Sequence, residues 1–244
     1  MGQTQEHHSW LYNQLFTNWK KFEIIYVSVL VALRIIVYLI VPDSIIGMIS
    51  GVAGTLCLVY GMKGRKITFI FGIVQCLAMT YIAWISHAYG SFAMDIFYVI
   101  SQPIGWYMWG HDEATKRFSP KVRRLIFLGA FVAWAIGWWV LAMVHGQLPY
   151  FDSINFVFIA QLLYIMKYQE NWSLWIIVNG ANIIYWGILA VQTMMGTNHI
   201  GSLGASLSQI ALQFALLFNS LYATKVWASG EADNEGGAGK DGDK

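Results

Sequence analysis

Long apolar runs separated by short polar gaps dominate the chain from residue 22 to residue 227. A run of about 20 apolar residues is the length at which a helix crosses a bilayer core. The pattern predicts eight such helices, at 22–41, 45–61, 67–88, 91–110, 122–145, 152–167, 172–194 and 200–227. Pro42-Asp43 stops the first, and Gly146 and Pro149 follow the fifth. Residues 1–21 are polar and read as a segment outside the membrane; 230–244 are rich in Gly, Asp and Glu and read as a disordered tail. The expected fold class is all-α integral membrane, with eight transmembrane helices.

Charge gives the crossings a direction. Lys20 and Lys21 precede the first helix. Lys63, Arg65 and Lys66 fall between the second and third. Lys116, Arg117 and Lys121 fall between the fourth and fifth, with Arg123 and Arg124 at the start of the fifth; Lys167 ends the sixth, before the seventh, and Lys225, Lys240 and Lys244 lie near the end. The opposite loops, 42–44, 87–90, 145–150 and 196–199, hold no Lys or Arg. By the positive-inside rule both termini lie in the cytoplasm, which predicts a multi-pass protein of the cytoplasmic (inner) membrane with the lipid bilayer as its surround. Arg34 is the basic residue inside a span, close enough to its outer end to snorkel.

Composition agrees and excludes several functions. The chain is 57% hydrophobic and 11% charged, against about 25% charged in a soluble domain. A net charge of +2 gives no basic field for nucleic acid. Cys57 and Cys76 each sit inside an apolar run, without a CxxC or Cys/His cluster, so structural zinc and a disulfide framework lack support. No apolar stretch with a small-residue cleavage site follows the polar start, so no removable signal peptide is expected. HExxH, GxSxG and P-loop motifs are absent, and His87, His111, His145 and His199 fall in loops on both sides. The reading is therefore not an enzyme, with no catalytic residues, no metal and no cofactor.

An internal repeat organises the spans. With an offset of 104, Leu58–Tyr81 aligns with Leu162–Tyr185 and matches Leu58/Leu162, Tyr60/Tyr164, Met62/Met166, Lys63/Lys167, Ile73/Ile177, Val74/Val178 and Tyr81/Tyr185, with Gln75 opposite Asn179. Two three-helix units follow, 45–110 and 152–227, joined by a linker helix at 122–145, with the helix at 22–41 outside them. Because the linker crosses back, the units are parallel, giving a 1 + (3+1+3) plan that transporters use with substrate bound where the repeats meet.

The polar residues inside the spans are amides and aromatics. Trp172, Trp175, Asn179, Asn182 and Trp186 share one helix face at steps of three and four. Asp95, Tyr98, Gln102, Trp106 and Trp109 do the same around Pro103; Gln75, Asn155, Gln161, Gln209, Gln213 and Asn219 complete the set. An amide facing lipid would leave its groups unpaired, so these faces turn inward. Such amides either join helices or bind ligand, with about even weight. Trp109, Trp172 and Tyr168, near span ends, read as interfacial belt residues. Asp95 and Asp152 read as caps or an entrance lining, and Lys167 as a topology charge. Amides suit hydroxyls and carboxamides, and aromatic faces suit a flat, cationic ring.

Particular strings carry a resemblance. Phe151-Asp152-Ser153, Gln161, Lys167-Tyr168-Gln169-Glu170-Asn171-Trp172-Ser173-Leu174-Trp175, Asn179 and Gly105-Trp106-Tyr107-Met108-Trp109 together resemble the PnuC family of nicotinamide riboside transporters, over about 45–227. The resemblance implies a SWEET-like 3+1+3 core. It also implies alternating-access uniport of nicotinamide riboside, a vitamin precursor trapped by cytosolic phosphorylation. It further implies Trp175 and Trp186 for the pyridinium ring, and Asn179, Gln102, Gln161 and Gln75 for the carboxamide and ribose. Asn182, Gln209, Gln213 and Asn219 are secondary candidates. The chain departs from many family members, which carry Asp where it has Asn179. Related branches carry thiamine or riboflavin, so another vitamin or a sugar is the alternative cargo. A homo-oligomer is compatible with this plan.

Overall fold

A computed structural model describes residues 9–40, 45–85, 89–111, 114–145, 154–196 and 203–236. The described residues form ten helices: α1 Trp10–Phe16, α2 Lys21–Ile40, α3 Ile45–Met62, α4 Thr68–Ile85, α5 Tyr89–His111, α6 Pro120–His145, α7 Ile154–Ile165, α8 Glu170–Met194, α9 Leu203–Ala228 and α10 Glu231–Gly236. Helices α2 to α9 fall on the eight segments that the apolar pattern predicts. Two compact units result, Met1–Ala114 with Ser229–Lys244, and Thr115–Ala228.

Many large apolar side chains face outward. On α6 alone Leu125, Leu128, Val132, Ile136, Trp139 and Met143 form an exposed stripe at helical spacing. On α2, Ile25, Val29, Leu33, Ile36 and Leu39 do the same. Stripes this long belong against an apolar surround rather than water. Ile45–Met62 and Glu170–Met194 are long and apolar enough to cross a bilayer by length and composition alone.

In the first unit α3 packs on α2 and α4, and α4 on α5. The turn after α3 holds charges that sequence reading assigns to topology. Lys63 and Arg65 are instead fully buried. Lys63 Nζ pairs with Glu23 Oε2 at 2.5 Å and donates to the Asn18 carbonyl at 3.0 Å. Arg65 donates to the carbonyls of Gln14, at 2.8 Å, and Thr17. These carbonyls lie at the C-terminal end of α1, where backbone acceptors lack helical partners and the dipole favours a cation. Gln14 Oε1 in turn accepts from the Ile67 amide at 3.2 Å, and the Trp19 ring lies within 5.1 Å of Lys63 and 5.5 Å of Arg65. The polar start is therefore partly helical. Its polar face turns in and Trp10, Leu11, Tyr12 and Phe16 turn out.

The tail also differs from expectation, because Glu231–Gly236 is helical. Glu231 pairs with Lys20 at 2.5 Å, and Ala232 is buried against Gly64. A Cβ at Gly64 would stand 2.7 Å from the Ala232 carbonyl oxygen, and its φ of +73° also favours glycine. Residues 237–244 lie outside the described residues.

In the second unit α8 packs on α7 and α9, and α6 on α7. Ala130, Ala160, Leu163, Leu174 and Val178 form its buried cluster. The segment before α6 is stitched to the turn after α7. Lys116 N–H donates to the Lys167 carbonyl at 2.8 Å, and Gln169 N–H to the Lys116 carbonyl at 2.9 Å. Phe118 stacks on Tyr168 at 3.9 Å, and its amide donates to Glu170 Oε1 at 3.1 Å. Gln169 Nε2 reaches Thr115 Oγ1 at 3.0 Å and the Trp227 carbonyl at 3.1 Å. The distinctive Lys167–Trp172 string is thus a structural hub. Lys167 is buried within it, not displayed as a surface charge.

One turn occurs in both units. Gly64 donates to Gly61 and Arg65 to Tyr60; likewise Lys167 donates to Tyr164 and Tyr168 to Leu163. Both are Schellman ends with a left-handed residue, Gly64 at φ +73° and Lys167 at φ 64°. The backbone therefore equates Gly64 with Lys167, an offset of 103 at this turn. Matching by identical residues, with an offset of 104, is one residue out here. Side-chain identity does not report which residue takes the left-handed conformation.

Glu23→Ala is expected to destabilise the chain by about 3–5 kcal/mol, because it leaves Lys63 buried without its carboxylate. Thermal unfolding in detergent checks this, and adding Lys63→Met should restore part of the loss.

Candidate functional site

The amides on the inner helix faces fall into two classes, those with a protein partner and those with a buried atom left over. In the first unit Gln102 of α5 is 4% exposed. Its Nε2 contacts Cys76 Sγ of α4 at 4.0 Å, and its Oε1 is buried without a hydrogen-bond partner. That oxygen rests on Gly72, where a Cβ would overlap it. The next residue, Pro103, removes a helical N–H from the same stretch. Gln75 is half-buried, its amide lying against Gly54 of α3. Thr68 caps this layer, donating to the Cys57 carbonyl at 2.7 Å.

In the second unit Asn179 is buried on α8 and its Nδ2 donates to Ser220 Oγ of α9 at 3.1 Å; Ser220 passes the bond to the Leu216 carbonyl at 2.9 Å. Sequence reading misses Ser220, although a small hydroxyl beside Asn219 in an apolar helix marks the position. Gln213 is buried with Oε1 unpartnered, and Asn219, 1% exposed, has neither amide atom partnered. Gln161 is buried on α7. Asn182, Trp186 and Gln209 are half-buried. Trp175 is half-buried and packs against the Ala130–Val178 cluster, so part of its ring remains free of it.

The remaining aromatics on these faces are structural. Trp109 and Trp172 are 6% and 3% exposed, not belt residues. Trp109 meets the Phe69 ring edge-on at 4.9 Å, and Trp172 meets Trp227 at 5.5 Å and Tyr164 at 5.9 Å. Each wedges its own unit from within. Trp106 is covered by Lys66, 4.6 Å above its ring, and by Trp10 at 5.6 Å. Partial burial lowers the Lys66 pKa from its usual value. Asp152 lies outside the described residues and the Asn155 side chain is not among those described. Asp95 is half-buried in α5 with Oδ2 unpartnered, so it is not a helix cap.

A buried carboxamide atom with no partner costs about 1–3 kcal/mol. Gln102, Gln213 and Asn219 each carry that cost, whereas Asn179 avoids it. Polar atoms of this kind, in either unit, can hydrogen-bond a polar, uncharged or cationic small molecule. The amides themselves carry no charge for an anion; Lys66 stands over the Trp106 ring, one turn along α5 from Gln102.

Comparison with known proteins agrees in fold and family. A family model described as nicotinamide mononucleotide transporter matches residues 44–229. The nicotinamide riboside transporter PnuC of Neisseria mucosa is 28% identical over 194 residues, covering 74% of this chain and 74% of that protein. The protein of the same name from Haemophilus influenzae is 28% identical over 229 residues, covering 89% of this chain and 94% of its own. The crystal structure of the vitamin B3 transporter PnuC has a TM-score of 0.73 and 24% identity to this chain, covering 93% of this chain and 98% of that one. At that identity it shows a shared fold.

Two glycines under neighbouring side chains separate packing from binding. Gly105→Ala would push a methyl into the Phe69 ring, which Trp109 holds; it should lower stability by about 1–3 kcal/mol. Gly72→Ala meets chiefly the movable end of Gln102, with Cys57 Sγ next at 3.3 Å, and should cost less. Paired thermal melts of the two variants check the order.

Proposed function

The chain belongs to the nicotinamide mononucleotide transporter family, and we propose that it carries nicotinamide riboside across the cytoplasmic membrane as a uniporter. The observation that carries this reading is the set of buried, unpartnered carboxamide atoms on Gln102, Gln213 and Asn219. They suit the carboxamide and ribose hydroxyls of a nucleoside. Gln75 in the first unit and Asn179 and Gln161 in the second are further hydrogen-bonding candidates, with Asn182 and Gln209 as lesser contributors. Trp175 and Trp186 offer aromatic faces to the pyridinium ring, an attraction that strengthens when the cation is desolvated.

The cargo is the riboside rather than its phosphate. Phosphate recognition calls for Arg or Lys, and the buried cations near the turn after α3 are committed to Glu23, Gln14, Thr17 and Asn18. The same lack of cationic groups would stop a phosphorylated product from leaving, so cytosolic phosphorylation traps it. The two relatives of this name are riboside transporters by description.

The membrane arrangement follows the same reading. Helices α2 to α9 make eight crossings by alternating access around two parallel three-helix repeats, 45–110 and 152–227, with α6 as linker and α2 outside the plan. Both termini are cytoplasmic, where the basic loops gather. The shared Schellman turn after α3 and α7 supports the repeat.

Calorimetric titration of the purified chain should show binding of nicotinamide riboside and none of its 5′-phosphate, thiamine or glucose. Tighter binding of thiamine or glucose would overturn the assignment. Trp175→Ala should abolish measurable binding while the protein elutes as a folded species; unchanged affinity would remove Trp175 from the site.

A further inference from the structure

Helix α5 carries an acid without a base. Asp95 is the sole Asp or Glu in the interior of any of the helices α2 to α9, since Glu23 and Glu170 stand in first turns. Its Oδ2 is buried and accepts no hydrogen bond. Helices α3, α4 and α5 contain no Lys or Arg. Arg34 of α2 lies with its Cδ against Gly51 of α3, and among the described residues of this unit the ion pairs Lys63–Glu23 and Lys20–Glu231 leave Asp95 out. An ionisable group in a span without a partner is costly and is kept where it meets a substrate or an ion.

Asp95 stands seven residues before Gln102, which keeps both on one face of α5 and separates them by about 10 Å along the axis. That is the scale of a nucleoside. Both side chains present a buried, unpartnered oxygen. Position 179, by contrast, bears a neutral amide already donating to Ser220. A fixed positive charge on the ligand would find no compensation there.

We propose that Asp95 is the counter-charge that recognises the pyridinium of the transported riboside, with Gln102 engaging a hydroxyl or the carboxamide of the same molecule. This deepens the reading of the chain as a riboside transporter and rests on it. The carboxylate attracts a cationic nucleoside in a low-dielectric surround. It also repels an anionic phosphate, which adds a repulsive element to the absence of Lys and Arg. The specificity that Asn179 cannot supply by charge is supplied on α5.

The test separates charge from shape. Nicotinamide riboside and a neutral isostere, the benzamide C-riboside, are titrated calorimetrically into the full-length chain and its Asp95→Asn and Asp95→Glu variants. The wild type should prefer the cationic riboside. Asp95→Asn keeps the size and one acceptor oxygen but removes the charge; it should weaken the cationic ligand about tenfold or more while changing the neutral one far less. Asp95→Glu should retain the preference, which guards against an Asn variant that misfolds. Equal weakening of both ligands, or a preference kept by Asp95→Asn, overturns the inference alone. A wild type that binds neither riboside overturns the functional reading as well.

Discussion

A bilayer core supplies no water to satisfy polar groups, and every other feature of this structure follows from how the chain meets that constraint. Backbone groups are satisfied within helices. Side chains divide. Asn179 is closed off by Ser220, and Lys63 and Arg65 by Glu23 and the carbonyls of the N-terminal segment. Gln102, Gln213, Asn219 and Asp95 are left with unpartnered buried atoms. The first group builds the scaffold; the second supplies the open atoms on which the proposed function draws, although Glu170, Asn171 and Trp172 of the hub after α7 also keep one unpartnered buried atom each.

The scaffold depends on contacts far apart in sequence. Arg65 ends α1, Lys63 fixes the start of α2 through Glu23, and Gly64 receives Ala232 from beyond α9. One tight turn thus gathers residues 14–23 and Ala232 within the first unit. In the second unit the equivalent turn uses Lys167 in place of glycine, and the neighbouring Tyr168, Gln169 and Glu170 bind the segment before α6. The family resemblance is therefore strongest in a structural element.

The eight long helices were legible because apolar run length is a local property. Helix α1 was not, since seven residues give too little periodicity and its polar side, Gln14, faces the protein while its apolar side faces out. The helical Glu231–Gly236 was hidden because its anchors, Lys20 and Gly64, are remote. The inward placement of Asn179, Gln102, Gln161, Gln213 and Asn219 was readable from the cost of an amide in lipid. Which of them had a partner was not, because that is decided across helices: Ser220 for Asn179, and no donor for Gln102 Oε1, which meets only the bare face of Gly72. Trp109 and Trp172 were misread as belt residues because position near a span end does not reveal that another aromatic, Phe69 or Trp227, waits on the adjoining helix.

The central claim, that of the proposed function, is that the chain passes nicotinamide riboside down its gradient without a coupled ion. It is tested most directly by exchange in proteoliposomes. Vesicles preloaded with unlabelled nicotinamide riboside should accumulate labelled riboside transiently and saturably, at a rate unchanged when sodium, proton or membrane-potential gradients are abolished. Riboside flux no faster than in empty vesicles, or flux that vanishes without one of those gradients, would contradict it.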